Sequence, residues 1–154
     1  NMMKVILLEN LRKVGSIGEI IDVKRGYARN YLIAKKKALF ASDKNIKEVE
    51  KIKQDLNKKD QDKRKEAKII QEKIHKKELE VKKLSTENKE LYGSVKPTEI
   101  SKLLNNIYKV DINPSQIQPS KEIKSLGNFD VLINLHSDIQ TEIVLKVLAQ
   151  EEIK

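Results

Sequence analysis

Hydrophobic positions along the chain change character three times. Near the start they form short β-rich runs, Val5-Ile-Leu-Leu8 and Glu19-Ile-Ile-Asp-Val23, with Ala38-Leu-Phe-Ala41 as a third. Between the first two, Asn10 to Gly18 is polar and punctuated by glycine, which predicts a hairpin with a long flexible loop. Gly26 to Ala34 suits a short helix. Residues 1–41 therefore read as a small α+β unit. A chain of about forty residues is near the lower limit for folding without staples, so help is expected from the element that follows.

That element is a helix. Ser42 and Asp43 place a capping oxygen and a negative charge where a helix N-terminus favours them. Neither proline nor glycine occurs from Glu48 to Tyr92. Apolar residues recur at helical spacing at Ile46, Val49, Ile52 and Leu56, and again at Ile70, Ile74, Leu79, Val81 and Leu84. The pattern predicts a connector helix over 42–84. Between its two apolar groups, Asn57–Glu66 carries no apolar side chain at all, which predicts exposure on every side there. Acidic residues precede basic ones by three or four positions, as in Asp55–Lys59, Asp60–Arg64 and Glu72–Lys76. Each such pair adds roughly 0.2–0.5 kcal/mol to an isolated helix. The polar gap breaks the seam a coiled coil needs, so a solvated rod between two lobes is the better reading.

The third regime is mixed again. Thr98 and Glu99 mark a helix start, with Ile100, Leu103, Leu104 and Ile107 as its apolar face. Val110–Ile112 suggests a strand, and Leu126–Phe129 a turn. Phe129, Val131, Ile133 and Leu135 alternate with polar neighbours, as do Ile143, Leu145 and Val147, around Ser137-Asp138. That is an antiparallel hairpin. Residues 91–154 are expected to form a second α+β domain.

Composition narrows the possible partners. The chain has 154 residues and a formal net charge of +9, which favours a polyanion. The excess is uneven: residues 1–41 hold nine basic and three acidic side chains, whereas residues 93–154 hold seven and eight. Anion binding is therefore assigned to the N-terminal end. Without cysteine, disulfides and thiolate metal sites are excluded. The apolar opening is too short for a signal peptide core or a membrane span, so an intracellular protein is expected. Asn1 cannot initiate, which points to Met2 or Met3 as the native start. His75 and His136 lack a histidine partner, so no metal or other cofactor is expected. His136, Asp138 and Glu142 could form an acid–base group, but a solvated hairpin turn accounts for them better.

The densest chemistry lies between Gly15 and Leu32. Gly15-Ser16-Ile-Gly18 and Val23-Lys-Arg-Gly-Tyr-Ala-Arg-Asn-Tyr-Leu32 combine glycines, cations, tyrosines and an asparagine. Cations can clamp phosphates, and a tyrosine face can stack on a base. Neither a phosphate loop nor a dinucleotide fingerprint is present. The spacing Gly15-x2-Gly18-x4-Val23-x2-Gly26-Tyr27-x2-Asn30-Tyr31-Leu32, with Ala38 and Ser42 downstream, resembles the signature of the L9 family of bacterial large-subunit ribosomal proteins. The Met-Lys-Val-Ile-Leu-Leu opening, Leu91-Tyr-Gly-Ser-Val95 and Val131-x-Ile-x-Leu-His136 resemble that family too.

The resemblance implies two RNA-binding α+β domains joined by an exposed helix. The N-terminal one would dock on 23S rRNA of the large ribosomal subunit, in the cytoplasm. A monomer is expected off the ribosome, with no enzymatic activity and no membrane partner. Arg12, Lys13, Lys24, Arg25, Arg29 and Lys35, Lys36 and Lys37 are the expected phosphate contacts, with Ser16 beside them in the loop. Tyr27 and Asn30 would meet ribose, base or loop, and Gly15, Gly18 and Gly26 would permit close approach. A turn role for each glycine, and a core role for Tyr27, remain open alternatives. Tyr31 and Leu32 read as core. Gly93, Ser94, Lys96, Lys121 and His136 are a weaker second contact set. Family members usually carry glycine where this chain has Lys36. If that position needs positive φ, the lysine is strained by roughly 1–2 kcal/mol, or the turn is remodelled. The rival reading is a homo-oligomeric coiled-coil scaffold with a basic nucleic-acid-binding head.

Overall fold

The structure is a computed structural model and describes residues 1–119 and 121–151. It divides into two compact units, Asn1–Lys65 and Glu66–Lys154, of which residues 152–154 lie outside the described residues.

The N-terminal unit is a three-stranded antiparallel sheet in the order β2-β1-β3. Its strands are β1 (Met2–Leu7), β2 (Ile20–Lys24) and β3 (Ala38–Phe40). All three β-rich runs of the sequence become strands, because Val5, Ile6 and Leu7 can be buried only from both faces. Val5 and Leu7 meet Ala28, Leu32 and Ala38 in one apolar cluster. The residues between β2 and β3 form a helical turn α1 (Arg25–Tyr27) that widens into a π-turn over Ala28–Ile33. Helical extensions of this wider kind concentrate at functional sites.

The loop expected to be flexible is instead internally bonded. Leu11 and Gly15 bridge each other, and the Asn10 side chain accepts the Ile17 amide at 2.9 Å. Gly18 takes φ +82°, a conformation that favours glycine, while its amide donates to the Leu7 carbonyl at 2.9 Å.

The long helix α2 spans Asp43–Ile74. The Ser42 hydroxyl accepts the Asn45 amide at 3.2 Å, as a cap should. Val49 is fully buried and Gly18 lies against the Lys53 side chain, so the helix closes on the small lobe. Exposure on every side of 57–66 holds for seven positions but not for Asn57, Asp60 and Arg64, which are half-buried. These three share one helix face, and Asn10 Nδ2 donates to Asp60 there at 2.9 Å.

The expected helix over 42–84 is too long. It stops at Ile74, Lys76 takes φ +57°, and Glu78–Lys83 becomes strand β4. The strand wins because it pairs in parallel with β9 (Ile139–Ala149), Leu79 opposite Leu145 and Val81 opposite Val147. Glu78 accordingly bridges to Lys146 at 3.1 Å on β9. The C-terminal unit thus takes in Glu66 onward rather than beginning at residue 91.

Its main sheet runs β4-β9-β8-β6, with β6 at Ile117–Pro119 and β8 at Gly127–His136. A second, two-stranded sheet joins β5 (Glu90–Val95) and β7 (Ile123–Ser125). Helix α3 (Pro97–Tyr108) contributes Ile100 and Leu104 to a core with Ile74, Leu79, Val131, Ile133, Ile143 and Leu145. The hairpin around Ser137-Asp138 forms as its alternation indicates.

Two local expectations fail here. Val110 and Ile112 are buried, but the segment makes no strand. Side chains of α3 take its carbonyls instead: Ser101 Oγ donates to the Ile112 carbonyl, and Asn105 Nδ2 donates to the Val110 carbonyl at 3.4 Å. Gly127–Phe129 is not a turn but the start of β8, paired with Lys146 and its neighbours on β9.

Lys36 does take φ +58°, so the backbone keeps the geometry that glycine would supply and the lysine bears the strain. Lys36→Gly is expected to stabilise the N-terminal unit by about 0.5–1 kcal/mol, after the larger unfolded-state entropy of glycine is deducted. Urea titration of a 1–65 fragment reads this as a higher midpoint at unchanged slope. An unchanged or lower midpoint contradicts it.

Candidate nucleic-acid interface

The sequence-selected residues gather on three neighbouring segments of the N-terminal unit. The loop after β1 supplies Arg12, Lys13 and Ser16, the end of β2 and α1 supply Lys24, Arg25 and Gly26, and the π-turn and its exit supply Arg29, Asn30, Lys35, Lys36 and Lys37. All are exposed except Lys37, which is half-buried. Among the described residues, Arg12, Lys13, Lys24, Arg25, Arg29, Lys35 and Lys36 enter no ion pair, so their charge is uncommitted. Lys37 is engaged within the unit: its Nζ lies 3.3 Å from Glu9 Oε2 and 5.8 Å from the Tyr31 ring centre.

The aromatic pair departs from expectation. Tyr27 and Tyr31 stack with ring centres 5.3 Å apart and planes inclined by 24°. Both rings are about two-fifths exposed, at 41% and 40%. Leu32 is fully buried as expected, whereas Tyr31 is not core and was missed as a surface residue. Its four-residue offset from Tyr27 is the signal that would have found it, since such pairs meet on one helical face. The core role for Tyr27 is likewise excluded by its exposure. A stacked, half-exposed tyrosine pair is a ready platform for a further flat ring.

The glycines separate into two kinds. A side chain on Gly15 would collide with the Glu19 carboxylate and a Leu7 methyl, and Gly18 needs its positive φ. Both serve the loop itself. Gly26 has open space where a Cβ would sit, so no neighbour within the chain requires glycine there. The Ser16 amide donates to Glu19 Oε2 at 2.8 Å, leaving its hydroxyl at the surface.

In the C-terminal unit, Gly93 and Ser94 lie on β5, followed by Lys96 at the start of α3. Val95 pairs with Ile123, which brings Lys121 to the same end, its Nζ 5.8 Å from the Phe129 ring centre. His136 is not part of this group. It sits at the far end of β8, seven residues and roughly 23 Å along the strand from Phe129. Tyr92, beside Gly93, is 71% exposed and escaped the sequence reading. His136 contacts Ser137 Oγ at 3.2 Å in the hairpin turn, and Glu142 is exposed on β9.

Fold and surface together define a class: a protein of two compact units that share one long helix, with its cationic and aromatic chemistry concentrated in the N-terminal unit. Comparison with known proteins makes the assignment particular. Residues 3–49 match the model of ribosomal protein L9, N-terminal domain, and residues 65–149 that of ribosomal protein L9, C-terminal domain. The chain is 66% identical over 152 residues to the large ribosomal subunit protein bL9 of Pelagibacter ubique, covering 99% of this chain and 100% of that protein. It is 34% identical over 149 residues to bL9 of Thermus thermophilus, covering 97% and 100%. With bL9 of Carboxydothermus hydrogenoformans it shares 34% identity over 150 residues, covering 97% and 98%. The chain belongs to the ribosomal protein L9 family.

Proposed function

We propose that the chain is a structural, non-enzymatic component of the large ribosomal subunit in the cytoplasm, docked through its N-terminal unit on 23S rRNA. The family supports the ribosomal role, since its members are named as large-subunit proteins. The observation that carries the docking is the set of seven uncommitted cations around the stacked Tyr27–Tyr31 pair. Phosphate contacts from the cations fix position, and the ring pair meets an unpaired base. Asn30 and Gly26 lie where a ribose or backbone comes close. Gly93, Ser94, Lys96 and Lys121 would form a lesser contact on the C-terminal unit, which has no basic excess to attract RNA from a distance.

The chain acts as a monomer off the ribosome. A coiled coil would need an open apolar seam on α2, yet Val49, Ala67 and Ile74 are already buried at 0%, 3% and 0% within a single chain.

Filter binding of 23S rRNA across a salt series tests the docking. The N-terminal unit is expected to hold most of the affinity. Lys24→Ala should weaken binding and lower the slope of log K against log salt by roughly 0.7–0.9, the signature of one lost phosphate contact. Equal or tighter binding by the C-terminal unit alone would reverse the assigned polarity.

A further inference from the structure

A groove of about 530 Å³ runs along β2, one of the two edge strands of the N-terminal sheet, and is lined by Lys13 and Val14 of the loop after β1 and by Tyr27. Its volume lies in the range that takes a nucleotide-sized ligand. Val14, Ile21 and Val23 give it an apolar lining, each half-buried against the core cluster. Tyr27 forms a wall, while its stacking partner Tyr31 does not line the groove. One face of Tyr27 is therefore covered by Tyr31, which leaves the other face to take a second flat ring. Lys13 and Lys24 line the same groove and are exposed.

The odd member is Asp22. It is the one acidic residue lining a groove otherwise made of cations, apolar residues and a tyrosine. Among the described residues its carboxylate takes part in no ion pair or side-chain hydrogen bond, although Lys4 stands opposite it in the β1–β2 ladder. A carboxylate on a surface for polyanions repels phosphate. On an RNA-facing surface that repulsion is offset where the carboxylate accepts hydrogen bonds from the ligand. Two carboxylate oxygens match two adjacent donors, and among the four RNA bases only guanine offers such a pair, N1–H and the exocyclic N2–H, on its Watson–Crick edge.

Resting on the rRNA-docking reading, we infer that this groove seats one unpaired guanine of the RNA. The base stacks on Tyr27, its N1–H and N2–H donate to the Asp22 carboxylate, and flanking phosphates lie on Lys13 and Lys24. Asp22 is then a specificity-determining residue, and the cations around it are not.

The test uses the full chain, 23S rRNA and kethoxal, which modifies guanine at N1 and N2 only when that edge is free. Wild-type protein is expected to protect a guanine that becomes reactive again in the complex with Asp22→Asn. The same variant should weaken binding about tenfold at fixed salt, within the discrimination a good bidentate base contact provides, while leaving the salt slope unchanged. Simple charge removal predicts the opposite sign, tighter binding. Asp22 is exposed, and an unchanged thermal melt confirms that the variant is folded. If rRNA is bound but no guanine edge is protected by the wild type, or protection survives Asp22→Asn, the guanine site is wrong and the docking stands. If the wild-type chain does not bind 23S rRNA at all, both fall together.

Discussion

Leu32→Ala is expected to unfold the N-terminal unit and abolish rRNA binding with it. Leu32 is fully buried in a cluster whose other buried members are only Val5, Leu7, Ala28 and Ala38. Truncating a buried leucine costs about 2–5 kcal/mol, the lost transfer energy plus the cavity left behind. A unit this small has little stability in reserve, and Leu7 and Ala28 cannot both shift into the gap without breaking β1 or the π-turn. Urea titration and circular dichroism of a 1–65 fragment read the outcome directly. A folded fragment with less than about 1 kcal/mol lost would mean the cluster collapses into the cavity far better than its packing implies. The C-terminal unit should be untouched, since its core of Ile100, Leu104, Val131, Ile143 and Leu145 is a separate cluster.

Tyr27→Ala should do the reverse: leave the fold and remove the affinity. The ring is 41% exposed and outside the buried cluster, so its loss opens no cavity. Loss of base stacking costs about 1–3 kcal/mol, or roughly 5- to 150-fold in Kd, with the salt slope almost unchanged because no phosphate contact is lost. Tyr31→Ala should give a smaller loss of the same kind, because Tyr31 braces Tyr27 at 5.3 Å and does not itself line the groove. Filter binding at two salt concentrations separates this pattern from the Lys24→Ala pattern. A Tyr27→Ala variant that is folded and binds normally would remove the stacking role from the docking model.

The contrast between these two neighbours shows what was legible in the sequence. Leu32 was readable as core and the cationic cluster as surface, because charge density and apolar runs are local properties. The strands around Val5, Ile21 and Leu39 were readable for the same reason. The end of α2 was not. Leu79 and Val81 fit helical spacing after Ile74 as well as strand alternation, and what decides between them is β9, more than sixty residues away. No glycine or proline announces the break, because Lys76 takes the left-handed conformation itself. Val110–Ile112 failed for a related reason. The carbonyls of Ile112 and Val110 accept from Ser101 and Asn105 of α3, a pairing that no local pattern encodes. Tyr31 was misjudged because, between Asn30 and Leu32, it shares the apolar character of the core residue beside it. Only the π-turn turns it outward to meet Tyr27.

Among the described residues, Lys76 is one of five other than glycine with positive φ, and all five are lysines: Lys13, Lys36, Lys76, Lys89 and Lys109. Lys109 closes α3, and Lys76 lies just past the end of α2, positions where glycine most relieves strain and where a cation is favoured by the helix dipole. The strain at these turns is spread over separate, exposed sites, so glycine substitutions there would act almost independently. At about 0.5–1 kcal/mol each, a single exchange raises the melting point of a unit this size by roughly 2–8 °C. Heat tolerance in this chain can thus be tuned at its turns without altering its core, and a lineage moving to warmer water would need no repacking to follow.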